Sequence, residues 1–144
     1  MIPSPFLLYL GRTDDFIGIK TSRGLAEFRR EDCVGEFRHD DGPLTLGLPR
    51  LTMTEAVEAG AKTLVLGIAG AGGRMGADLI ADAGDALRAG MNVAAGLHQR
   101  LRDQPQLVAL AEERGLTLFD VRDPPADLDV GKGYPRAGNR LLTV

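Results

Sequence analysis

The chain has 144 residues, of which 44% are hydrophobic and 26% charged, with a formal net charge of −3; that size suits one domain with a real core and is short for two. With 17 Lys and Arg against 20 Asp and Glu, and no Trp, it lacks the clustered basic charge and aromatic platforms used in nucleic-acid binding. A single cysteine, Cys33, excludes an internal disulfide framework and a multi-cysteine metal site. No metal is expected, and a reducing, cytoplasmic setting fits.

The apolar run from Phe6 to Leu10 has no basic segment before it and no small-residue cleavage site after it. It is far too short to span a bilayer and reads as a strand, so no membrane association is expected. Arg29 and Arg30 are flanked by Glu27, Glu31 and Asp32 and read as a solvated face. Val34 to Arg38 is a β-type run closed by Asp40-Asp41-Gly42-Pro43, and Leu44 to Leu48 is a second short apolar segment. Thr52-Met53-Thr54-Glu55 has the form of a capping box; it predicts a helix from Met53 to Ala59 that Gly60 ends.

Thr63 to Ile68 is a continuous apolar run too short for a helix, the pattern of a strand buried on both faces of a parallel sheet. Leu79, Ile80, Ala83, Ala86 and Leu87 then fall near helical spacing, with Gly90 placed to close the helix. Met91 to Ala95 predicts another strand and Gly96-Leu97-His98 its loop. A helix carrying Leu107, Leu110 and Ala111 follows, ended by Gly115. Leu116 to Val121 predicts the last strand, terminated by Asp123-Pro124-Pro125. Strands alternating with helices predict a doubly wound, mainly parallel, three-layer α/β domain of the Rossmann kind. Its expected extent is residues 1–125. Residues 126–144 read as a linker with Gly131, Gly133, Pro135 and Gly138, followed by a strand from Arg140 to Val144 that would open a second domain.

The ten residues Gly67-Ile68-Ala69-Gly70-Ala71-Gly72-Gly73-Arg74-Met75-Gly76 join a buried strand to a helix. Glycines there permit close backbone approach, and the helix that follows offers unpaired N–H groups to a phosphate or carboxylate. The spacing matches neither the dinucleotide fingerprint nor a Walker loop, which would need a Lys-Ser/Thr pair. The turn is therefore either ligand-facing or a plain strand-to-helix connection. Arg74 either grips an anion or is a solvated first-turn residue. His98 stands where open α/β sheets place their ligands and is either a general base or a packing histidine. Asp120 and Arg122 are either a mutually screened pair or part of the same crevice.

Taken together, Gly67-Ile68-Ala69 with Gly72-Gly73-Arg74, Ala89-Gly90-Met91-Asn92-Val93 with Gly96-Leu97-His98, and Asp120-Val121-Arg122 with Pro124-Pro125 form a familiar series. It resembles the amino-terminal domain of the DgcN-like D-glutamate N-acetyltransferases, most densely from Thr63 onward, and Arg140 to Val144 looks like the strand that leads into that family's P-loop domain. The resemblance implies acetyl transfer from acetyl-CoA to the amine of D-glutamate, a P-loop domain as partner, and a homo-oligomer. It departs from the family in having Ala69-Gly70-Ala71 and Met75-Gly76 where a proline-containing loop is expected. Under it, His98 supplies or supports the base, the amides of Gly72 and Gly73 hold a phosphate or the oxyanion, and Gly67, Gly70, Arg74, Gly96, Leu97, Asp120 and Arg122 line the ligand. A weaker similarity is to the CoA-binding domain of succinyl-CoA synthetase. The rival readings are an NAD(P)-binding domain similar to dihydrodipicolinate reductase and a non-catalytic interaction or oligomerisation module. Against the first, more than sixty residues precede the glycine-rich loop, whereas the nucleotide loop belongs after the first strand.

Overall fold

The structure, a computed structural model, describes residues 1–68, 75–124, 127–128 and 138. Within them five strands form one parallel sheet: β1 (Phe6–Gly11), β2 (Cys33–Arg38), β3 (Thr63–Leu66), β4 (Asn92–Ala95) and β5 (Leu118–Asp120). Their spatial order is β2-β1-β3-β4-β5. Each crossover carries a helix: α1 (Lys20–Phe28), α2 (Met53–Glu58), α3 (Ala77–Ala89) and α4 (Pro105–Arg114).

The apolar runs become strands because both faces of the sheet are covered. Leu7, Tyr9, Leu64, Leu66, Val93 and Ala95 pack against Ala56 of α2, Ala83 and Leu87 of α3 and Leu107 of α4. Phe6, Leu8 and Val65 point the other way, toward Leu25 and Ala26 of α1. Two helical layers thus sandwich the sheet, and the predicted three-layer Rossmann-like architecture is the observed one.

The expected punctuation is present. Thr52 Oγ1 accepts from the Glu55 amide at 3.2 Å while the Glu55 carboxylate accepts from the Thr52 amide at 2.8 Å, completing the capping box of α2. Gly90 and Gly115 close α3 and α4 with φ of 102° and 64°, a left-handed conformation that glycine adopts without steric cost.

One helix was not read from the sequence, and one apolar segment takes no regular form. Helix α1 is unheralded: its buried positions are Ser22 and Ala26, small residues one turn apart that with the half-buried Leu25 leave only a narrow apolar stripe. The short apolar segment Leu44–Leu48 is irregular. It lies between Pro43 and Pro49 and sets Leu46 and Leu48 against the α1 side of the sheet. Just after it, the Glu36 amide donates to the Pro49 carbonyl and the Leu51 amide to the Glu36 carbonyl, which covers the exposed edge of β2.

Gly70, Gly72, Gly73 and Arg74 lie outside the described residues, as do the proposed domain boundary at 125–126 and almost all of the tail from 129 to 144. Among the described residues no helix is long and apolar enough to cross a membrane.

Candidate active site

In this strand order the chain leaves β1 to one side to form β2 and returns to the other side to form β3. The order reverses between β1 and β3, and open α/β sheets bind ligands in the crevice outside the carboxyl ends at such a point. The loop after β1 borders it, as do Gly67 and Ile68 after β3. Gly96-Leu97-His98 after β4 and Asp120-Val121-Arg122 at the end of β5 continue the same rim. The described residues of the three loops singled out in the sequence therefore lie at one end of the sheet.

Their roles on that rim differ. Gly67 faces α1: a β-carbon there would stand 2.6 Å from the Ser22 amide nitrogen, so glycine at 67 lets the first turn of α1 settle on the end of β3. Gly96 is exposed at the rim, whereas the Leu97 side chain is 8% exposed and belongs to the core. His98 is exposed. Its neighbour Gln99, which the sequence did not single out, accepts from the Met75 amide at 3.1 Å and ties the loop after β4 to the start of α3.

Asp120 pairs with Arg102 rather than with Arg122. Its carboxylate accepts from the Leu101 amide at 2.6 Å and from Arg102 Nε at 2.9 Å, fixing a 3-10 turn at Leu101–Asp103. Arg102 reaches on to Asp123, and Arg122 is exposed. Asp120 thus shapes the rim from below.

A second group of polar side chains lies at the carboxyl ends of β1 and β2 and was not read from the sequence. Asp82, on the buried side of α3, accepts at Oδ2 from the Tyr9 hydroxyl at 2.5 Å and meets His39 Nε2 at 2.7 Å. Tyr9 stacks on Phe37 with ring centroids 5.8 Å apart, and Phe37 meets the His39 ring edge-on at 5.0 Å. Burial, reinforced by the hydrogen bond to Asp82, pushes the Tyr9 phenol well above its ordinary range, so Tyr9 stays protonated and donates. His39, about a quarter exposed, lines an open cavity of about 260 Å³ with Asp40, Arg50, Thr52 and Glu55.

On the other face of the sheet a recess of about 200 Å³ runs from Phe6 and Leu25 past Val65 and Ala94 to Thr21 and Gly96 at the rim. Among the described residues no group of three or more His, Cys, Asp or Glu could hold a metal ion.

Comparison with known proteins places this architecture. A family profile described as a Rossmann-like domain of unknown function, DUF1611_N, matches residues 35–124. Two curated proteins named D-glutamate N-acetyltransferase are similar over essentially the whole chain, one from a Pseudoalteromonas species at 39% identity over 143 residues and one from Tritonibacter scottomollicae at 40% over 144. The chain spans 43% of the length of each. Among solved structures, a DUF1611 family protein from Anabaena variabilis superposes with a TM-score of 0.74 at 28% identity, covering 90% of this chain and 40% of that one. A UDP-N-acetylglucosamine 3-dehydrogenase from Acidithiobacillus ferrooxidans, at 16% identity and a TM-score of 0.53 over 83% of this chain and 38% of its own, shares the fold alone. The resemblance seen in the three loops and the Rossmann-like architecture agree with these matches, and the chain belongs to the DUF1611_N family of Rossmann-like domains.

Proposed function

We propose that the protein carrying this domain transfers an acetyl group from acetyl-CoA to the amine of D-glutamate. The agreement of the whole chain, at 39% and 40% identity, with two proteins of that name carries the reading. The reaction needs a base to free the amine and donors for the oxyanion of the tetrahedral intermediate. We assign the donors to the amides of Gly72 and Gly73 on the sequence pattern. The mixed-charge cavity beside His39, lined by Asp40, Arg50 and Glu55, suits a small charged amino acid. The partly buried lone thiol, Cys33, suits the reducing cytoplasm, where we place the protein.

A nicotinamide cofactor is less well supported. The loop after β1, at the switch point, reads Gly11-Arg12-Thr13-Asp14-Asp15-Phe16-Ile17-Gly18 and lacks the dinucleotide fingerprint. Calorimetric titration of the full protein with acetyl-CoA and with NADPH separates the readings. Heat of binding is expected from acetyl-CoA; heat from NADPH alone would overturn the proposal.

A further inference from the structure

We infer that Tyr9, Asp82 and His39 form an acid–base site in which His39 is the general base that takes the proton from the amine of the acetyl acceptor. This inference rests on the acetyl-transfer reading above.

The geometry fixes where the protons are. The Asp82 carboxylate can only accept, and it receives the Tyr9 hydroxyl and His39 Nε2 on the same oxygen, Oδ2. The imidazole therefore carries its hydrogen on Nε2. That leaves the Nδ1 lone pair without a partner among the described residues, on a ring that lines the mixed-charge cavity. An imidazole oriented by a buried carboxylate on one nitrogen and free on the other is the arrangement that generates a general base, because the carboxylate holds the tautomer and stabilises the imidazolium that forms.

The array is held from three sides. Asp82 is one of the few buried charged side chains, the phenol of Tyr9 fixes its carboxylate, and the edge of His39 rests on Phe37. The His39 amide also donates to the Gly11 carbonyl at 3.1 Å, anchoring the residue where β1 ends. His98, by contrast, has no carboxylate to orient it among the described residues. The charged groups around the array are Asp78 and Asp82 on α3, Arg12 after β1, Arg38 and Asp40 beside His39, and Arg50 and Glu55 across the cavity.

The proton balance is simple. The ammonium group of the acceptor gives one proton to Nδ1, and the freed amine attacks the carbonyl carbon of the thioester. As the C–N bond forms and the C–S bond breaks, the thiolate leaves and the second amine proton is shed to solvent. The imidazolium returns its proton to the thiolate.

The test uses the full protein, with thiol release from acetyl-CoA followed in the presence of D-glutamate. His39→Gln is expected to lower kcat about 100-fold or more, in the range of a lost general base, with a much smaller change in KM. Asp82→Asn, in protein whose thermal unfolding confirms that it folds, is expected to lower kcat with a much smaller change in KM, since the amide no longer holds His39 in the tautomer that leaves Nδ1 free. An active wild type with a fully active, folded H39Q variant, or with a fully active, folded D82N variant, would overturn the assignment. A wild type that releases no thiol with D-glutamate would overturn the acetyl-transfer reading itself.

Discussion

Gly67 and Ser22 approach so closely that a β-carbon at position 67 would lie 2.6 Å from the Ser22 backbone nitrogen, at the point where α1 meets the end of β3. Ser22 is fully buried there and its hydroxyl donates to the Tyr9 carbonyl at 3.3 Å. Neither partner is the far end of a flexible chain that could swing aside. Gly67→Ala is therefore expected to destabilise the domain by about 1–3 kcal/mol, the usual cost of overpacking. Thermal unfolding would show this as a drop of several degrees, whereas an unchanged midpoint would mean that α1 does not sit as described.

The hydroxyl of Tyr9 serves Asp82 and has a measurable share in stability. Tyr9→Phe removes a hydrogen bond to a buried carboxylate and is expected to cost about 1.5–3 kcal/mol in urea unfolding at pH 7. The phenol ionises near pH 10 when unfolded and well above that when folded, because burial and Asp82 both disfavour the phenolate. Its contribution is thus fully present below pH 10 and declines as pH rises toward the folded value. Wild type should lose stability more steeply above pH 10 than Tyr9→Phe, and parallel curves would contradict the arrangement.

Asp120 is expected to behave as a structural residue. Asp120→Ala leaves the Leu101 amide without its acceptor and frees Arg102, with an expected cost of about 1–3 kcal/mol. Hydrogen exchange should quicken at Leu101 and Arg102. Unaltered exchange and stability, with weakened substrate binding, would move Asp120 into direct ligand contact instead.

Cys33 should be a slow nucleophile. Burial, then the nearby Asp32 and Glu31 carboxylates, push its thiol up to about 11, so little thiolate exists near neutrality. Alkylation by iodoacetamide at pH 8, followed by mass spectrometry, is expected to be much slower than for a free thiol and to accelerate only as pH nears 11. Rapid labelling at pH 8 would contradict this environment.

Much of the fold was legible because its signals are local. The buried strands Phe6–Gly11 and Thr63–Leu66, the Thr52–Glu55 capping box and the closing glycines Gly90 and Gly115 each announce themselves within a few residues. Helix α1 escaped because it contains Gly24 and its fully buried positions are the small residues Ser22 and Ala26, with Leu25 beside them the one large apolar residue on the sheet. At the site, sequence position correctly put Gly96, His98 and Asp120 on one rim, but not what each side chain touches. The partnership of Asp120 with Arg102 spans 18 residues, and those of Asp82 with His39 and Tyr9 span 43 and 73. Asp82 in sequence is one more polar residue of an amphipathic helix, and only the tertiary fold brings it to a histidine 43 residues away.

The most direct measurement of the central claim is to incubate the full protein with acetyl-CoA and D-glutamate and identify the products by mass spectrometry while counting released thiol. The account predicts N-acetyl-D-glutamate, with one thiol released for each molecule formed and none released when the amino acid is omitted. Thiol release that is independent of D-glutamate, or the absence of any acetylated product, would contradict it.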